Sequence, residues 1–306
     1  MKPILDPAQP KLALTGQGQV AYYDIGQGPV LLMLHGFPDT PQTFSDLITS
    51  CTQAGLRCVI PYMPGYGLTS MPRRGGGSQL ALAEFLQAFI RETLRVDEIM
   101  ILGHDWGSVT AQMLAGVNLT DERRSYRITR LVLAAVPPMP SFLRNINPRQ
   151  IYRSRYMYYF QIPGIIHRIR QQDLAYIRTL WARWSPGVPA DHPQLQRVLD
   201  CLRAPGVLER AISYYRYMLN PCYLPLSLQP LRQAKLMFMR KPLPTLIIVG
   251  AQDDCIGPEM YVGGARDFPH SESREVILPD AGHFLHLEQP DAFVRKTLPF
   301  LVLTRP

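Results

Sequence analysis

The chain has 306 residues, 46% of them apolar and 18% charged, enough to build a sizeable core and too apolar for a disordered chain. Its net charge is +8, from 32 Lys and Arg against 24 Asp and Glu, yet there is no long basic run and no nucleic-acid motif, so nucleic acid is not an expected partner. No apolar run approaches the ~18 residues of a membrane span, so no transmembrane segment is expected. The start of the chain carries Asp6 and three prolines, which break up a signal-peptide core. Five cysteines without a CxxC pair argue against a disulfide framework or a zinc site. A cytoplasmic protein with reduced thiols is the expectation.

Along the chain, Lys11–Thr15, Val20–Ile25 and Val30–Leu34 read as strands broken by glycines. Cys58–Tyr62 and Ile99–Leu102 read as buried strands. Leu80–Arg95 places Leu82, Phe85, Leu86, Phe89 and Ile90 at helical spacing. A shorter helical pattern covers Val109–Gly116. Arg130–Val136 is another strand, closed by Pro137 and Pro138. Thr245–Val249 and Glu275–Leu278 follow far downstream, with a last helix after Pro290. Strands alternating with helices predict an α/β fold: a mostly parallel central sheet flanked by helices.

Residues 140–232 differ from the rest. They lack strand-like runs and read as short helices split at Pro163-Gly164, Pro186-Gly187 and Pro205-Gly206. They also hold thirteen Arg against four acids, a charge of +9 that leaves the remainder near neutral. A solvated Arg-rich surface is the favoured explanation, ahead of a docking face for anions or acidic membranes. The predicted organisation is a core from 1–139 and 233–306 with a helical cap at 140–232.

The strongest chemical signal is Gly103-His104-Asp105-Trp106-Gly107, between an apolar strand and a helical pattern. Two glycines around a central residue at a strand–turn–helix junction describe a nucleophile elbow. Asp105 takes the nucleophile position where a serine is common. A carboxylate is charged without help from a base and suits displacement at an sp³ carbon, giving an alkyl ester, whereas serine suits acyl transfer. An aspartate before a helix can also be a simple N-cap, but the paired glycines and the preceding strand favour the nucleophile. His35-Gly36-Phe37-Pro38 follows the third strand and nominates the amides of Phe37 and Trp106 as an oxyanion hole. His35 itself reads as structural. Asp253 or Asp254, after the strand Thr245–Val249, can orient a histidine, and the G-x-x-D spacing from Gly250 favours Asp253. His283, in Asp280-Ala281-Gly282-His283-Phe284, is the candidate base that activates water. His286 reads as packing or surface. The order nucleophile, acid, histidine is that of the α/β-hydrolase fold.

With HGFPDT, PGYG, GHDWG and DAGHF in place, the chain resembles the epoxide hydrolases of the α/β-hydrolase fold family over nearly all its length. That resemblance implies an α/β-hydrolase fold with an inserted cap, an apolar epoxide substrate and a vicinal diol product, without metal or organic cofactor. It also implies two cap tyrosines that bind and protonate the epoxide oxygen. Tyr156, in Tyr156-Met157-Tyr158-Tyr159-Phe160-Gln161-Ile162-Pro163-Gly164, matches the first. Tyr215, in Ser213-Tyr214-Tyr215-Arg216, matches the second. Phenol O–H groups suit the alkoxide that forms as the ring opens. Tyr158 and Tyr159 read as aromatic packing. Met63-Pro64 before Gly65-Tyr66-Gly67 departs from the charged residue often found there. Competing functions are a haloalkane or haloacid dehalogenase with the same Asp105, using halide donors from Trp106 and Trp181 or Trp184, and a non-catalytic binder. Oligomeric state is left open, a homodimer included.

Overall fold

The computed structural model describes residues 5–123, 125–223 and 227–302; the outermost positions of the expected core segments, with 124 and 224–226, lie outside them. Eight strands form one sheet: β1 Lys11–Thr15, β2 Gly18–Ile25, β3 Val30–Leu34, β4 Arg57–Pro61, β5 Glu98–His104, β6 Arg127–Ala134, β7 Thr245–Gly250 and β8 Arg274–Leu278. Their spatial order is β1-β2-β4-β3-β5-β6-β7-β8. β2 runs antiparallel to both β1 and β4, and the remaining pairs are parallel. The reason lies in the sequence. Val30-Leu31-Leu32-Met33-Leu34 is buried at every position, as a central strand covered on both faces must be. Each such side chain contributes about 1.5–3 kcal/mol by leaving water. β1 and β8 are exposed along most of their length and form the edges.

The helices are α1 Ser45–Gln53, α2 Gln79–Phe89, α3 Trp106–Leu119, α4 Met139–Asn145, α5 Pro148–Arg153, α6 Arg155–Tyr159, α7 Ile165–Gln171, α8 Ala175–Trp184, α9 Pro193–Arg203, α10 Val207–Leu219, α11 Gln229–Phe238, α12 Leu285–Glu288 and α13 Pro290–Val302. Helices α4 to α11 lie between β6 and β7, and α11 runs across position 232 and packs on α2, α3 and α4. The breaks flanking α7, α9 and α10 fall at the three Pro-Gly pairs. Gly164 and Gly206 take left-handed φ values of 76° and 75° at the starts of α7 and α10. Among the described residues no helix is long and apolar enough to cross a membrane.

Several element boundaries move from those expected, α3 extending three residues beyond each end, and two of the shifts have a clear backbone cause. The helix predicted for 80–95 starts with Ser78 accepting from the Ala81 amide, ends at Phe89, and continues as a wider turn through Ile90–Leu94. Arg95, in left-handed conformation, then stops it. The strand predicted for 130–136 is Arg127–Ala134, because Ala135 turns to φ 60° and takes the chain out of the sheet before the prolines.

Candidate active site

Asp105 follows β5 directly and precedes α3, at φ 51° and ψ −119°. A non-glycine residue in that region is strained and needs neighbours that hold it there. A side chain at Gly107 would collide with the Leu34 carbonyl, so the turn closes only with glycine at this point. Asp105 stands where an N-cap would stand, but its side chain makes no capping bond to α3. Instead its Oδ1 accepts from the Phe37 amide at 2.7 Å. The strand-to-loop turn after β3 thus aims one N–H at the carboxylate. A side chain at Gly36 would strike Asp105 itself, which explains glycine before Phe37. Trp106 opens α3, and its ring lies 5.2 Å from Tyr215.

His283 follows β8 and is fully buried. Its Nδ1 pairs with Asp253 Oδ2 at 2.9 Å, and its Nε2 lies 3.5 Å from Asp105 Oδ2. Asp253 is fixed in turn, its Oδ1 accepting from the Cys255 and Ile256 amides at 2.7 and 2.9 Å. Burial opposes charge on His283, but Asp253 and Asp105 outweigh it and push the imidazole up to about 10. Of the two candidate acids the structure brings Asp253 to His283. Asp254 turns outward to Arg153 and Arg183 at 3.1 and 2.8 Å.

Tyr156 on α6 and Tyr215 on α10 are buried with ring centroids 5.5 Å apart. The Tyr215 hydroxyl has no hydrogen-bond partner, and that of Tyr156 meets only Cys255 Sγ at 3.5 Å. Burial raises both phenols well above their ordinary pKa. After burial, the next contribution to the rise comes from Cys255 at Tyr156 and from Asp105 at Tyr215. Both phenols are therefore neutral donors with protons to offer. The two helices are tied together by Gln161, whose amide donates to the Met157 and Tyr215 carbonyls. Tyr159 packs on Tyr176, whereas Tyr158 is exposed.

A cavity of about 400 Å³ opens on Asp105, Trp106, Tyr156 and Tyr215, and the rest of its wall is mostly apolar, with Val109, Phe142, Met157, Met218 and Met237 beside the polar Gln79, Ser154 and Gln233. Another cavity of about 400 Å³ lies at the opposite end of the sheet, against Val30, Ile99 and Arg130, away from these groups. The C-terminal ends of the strands are where open α/β sheets gather ligands, and the first cavity lies there.

Sequence reasoning missed several supports. His104 sends Nε2 to the His283 carbonyl at 2.9 Å, and burial holds its ring down to about 3, hence neutral. His286 is buried, not at the surface, with Nε2 on Thr43 Oγ1 at 2.6 Å. Asp39 accepts from Gln194 at 2.7 Å and is raised by burial to about 7. Cys255, which the sequence marks only as a reduced thiol, sits buried beside Tyr156. His35 is structural as expected: its Nδ1 meets the Gly36 carbonyl and its Nε2 accepts from the Met63 amide. That last bond, with Tyr214 donating to the Pro64 carbonyl, ties the backbone of this loop to the turn after β3 and to α10, and neither bond uses the Met63 or Pro64 side chain.

The α/β-hydrolase fold family matches residues 29–290. Mouse epoxide hydrolase 3 is 26% identical over 276 residues, covering 87% of this chain and 68% of that protein. Epoxide hydrolase from Bacillus megaterium, solved with an inhibitor, superposes with a TM-score of 0.77 at 22% identity, covering 95% of this chain and 99% of that one. An esterase from Exiguobacterium antarcticum superposes nearly as well, with a TM-score of 0.71 at 17% identity over 96% and 99% of the chains, so the fold alone does not choose the chemistry. The chain belongs to the α/β-hydrolase fold family.

Proposed function

We propose that the protein is an epoxide hydrolase that turns a small apolar epoxide into a vicinal diol through a covalent ester on Asp105, beneath a cap formed by residues 140–232. The observation that carries this reading is a carboxylate and two neutral, under-bonded phenols facing one apolar cavity. A free carboxylate supplies the attacking oxygen, and the phenols supply protons where negative charge develops. The mammalian and bacterial relatives named epoxide hydrolase support the same substrate class.

In the first half-reaction an Asp105 oxygen bonds to an epoxide carbon and the carbon–oxygen bond breaks. Tyr156 and Tyr215 hold the emerging alkoxide, which leaves this step as a hydroxyl. The ester cancels the charge on Asp105, and His283 loses one of the two carboxylates that kept it cationic. Its proton replaces, by way of solvent, the one a phenol gave to the alkoxide, and neutral Nε2 then takes a proton from water. The hydroxide adds to the ester carbonyl, the oxyanion falls to the Phe37 and Trp106 amides, the diol departs with the proton from His283, and the Asp105 carboxyl so formed gives its own proton back to His283. Asp253 holds the ring throughout. Water and epoxide give diol, and the enzyme returns unchanged.

Halide displacement is less well served. Phe37 offers no side-chain donor, the Trp181 indole N–H is already given to the Pro38 carbonyl at 2.9 Å, and Trp184, whose buried indole nitrogen has no partner, does not line the cavity that Asp105 opens on. The test is H283Q incubated with styrene oxide. Its intact mass should rise by the whole substrate and stay there, while D105N gains nothing. An unmodified H283Q that still turns over would overturn the reading. Halide release from a haloalkane exceeding diol formation would replace it with dehalogenation.

A further inference from the structure

The loop after β7 carries a group that the proposed reaction does not use. Cys255, two residues beyond Asp253, is wholly buried. Its Sγ, a carboxylate oxygen of Asp105 and a ring nitrogen of His283 lie within 4.8 Å of one another. His283 Nε2 is fully buried, has no hydrogen-bond partner, and stands 3.5 Å from Asp105 Oδ2. One sulfur, one imidazole nitrogen and one carboxylate oxygen form a donor set that zinc accepts, leaving a fourth position for water. A tetrahedron built on ordinary zinc bond lengths has ligand–ligand edges of about 3.3–3.5 Å. The histidine–aspartate edge, at 3.5 Å, already fits, and the sulfur lies within 4.8 Å of both groups. Asp105 opens on the cavity, which gives an ion its path. The donors come from loops after β5, β7 and β8, so no short motif announces them.

We propose that Asp105, Cys255 and His283 form an inhibitory site for a thiophilic divalent cation, zinc or cadmium, that closes the centre by occupying its carboxylate and imidazole together. The exchange balances. The Cys255 thiol and the His283 imidazolium each lose a proton to solvent, and the ion brings two positive charges, so the site keeps its net charge. Bonds form from metal to sulfur, nitrogen and oxygen, and nothing is oxidised. The Tyr156 hydroxyl, 3.5 Å from the sulfur, can donate to the thiolate. A second buried trio, Asp39, His104 and His286, also brings its donor atoms within 4.8 Å. It holds no sulfur, so the two sites have different spectra. Hard magnesium prefers oxygen ligands and has no place at a thiol site.

The test titrates the full chain with cadmium and zinc in buffer free of thiols and chelators. The expected result is thiolate-to-cadmium charge-transfer absorption that saturates at one ion per chain, with hydrolysis lost in parallel and magnesium without effect. C255A should lose the band and need at least about tenfold more zinc for half-inhibition, each protein scaled to its own metal-free rate. C255S serves where C255A does not fold, as judged by circular dichroism. C222S, which removes an exposed thiol, should match the unaltered protein. Equal zinc sensitivity in the Cys255 variants, or a band lost in C222S instead, overturns the proposal. The absorption needs no substrate, so it stands or falls separately from the epoxide reading.

Discussion

The sheet side and the helical side of the cavity are built by different means. On the sheet side the nucleophile, base and acid are each clamped through at least one atom. Asp105 accepts from the Phe37 amide, His283 is held by Asp253, and Asp253 by two amides of its own loop. On the helical side Tyr156 and Tyr215 are held by edge-to-face aromatic contacts with Phe37, Trp106, Phe160 and Trp184, while their hydroxyls are left under-bonded. Charge that exists before the reaction is fixed by backbone and carboxylates. Charge that appears during it is met by donors kept unsatisfied until a substrate oxygen arrives.

The two sides also touch. The Trp184 carbonyl accepts from the His283 amide, Ser185 Oγ from the Phe284 amide, and Gln150 bridges the Cys255 carbonyl and the Gly257 amide. The helical segment therefore steadies the loops that carry the acid and the base. Among the described residues seven of its thirteen arginines form ion pairs, as with Arg170–Glu209, Arg203–Asp173 and Arg144–Asp267. That favours a structural surface over an anion-binding face.

Breaking the sheet side should cost most. D105A is expected to lower diol formation by at least about 10⁴-fold, since the nucleophile has no substitute. D253N should cost about 10²–10⁴-fold and slow ester breakdown more than ester formation, as single-turnover kinetics would read. The same variant tests the electrostatics. A histidine raised to about 10 stabilises the fold while charged, fully below its ordinary value of about 6.5, and less as pH climbs through 10. D253N should bring the imidazole titration down, seen by proton NMR, and remove that loss of stability toward alkaline pH in denaturant melts. On the helical side, Y156F and Y215F should each reduce ring opening by about 10–10²-fold while leaving ester hydrolysis intact. The double variant should fall well below either. Last, D254N removes a carboxylate that is 40% exposed and pairs with Arg153 and Arg183. It should cost about 1 kcal/mol or less in urea unfolding, with the triad still working.

The difference between the two sides also governs what the sequence discloses. Asp105 and Phe37 lie in short strand–turn patterns whose glycines answer to local geometry, so Gly103-His104-Asp105-Trp106-Gly107 can be read without a structure. Tyr156 and Tyr215 came from resemblance, because nothing in their own spacing says that α6 and α10 meet over a cavity. The supports made by His104, Asp39 and Gln194 join residues up to 179 positions apart and carry no pattern. The end of β6 was misplaced because an alanine at positive φ leaves no trace in an apolar run.

The most direct measurement is a single turnover of an epoxide in ¹⁸O-water with enzyme in excess, followed by mass spectrometry of the peptide that contains Asp105. Attack of water on an Asp105 ester places the heavy oxygen in that side chain and leaves the diol unlabelled. A labelled diol with an unlabelled Asp105 means water opened the ring directly, and contradicts the account.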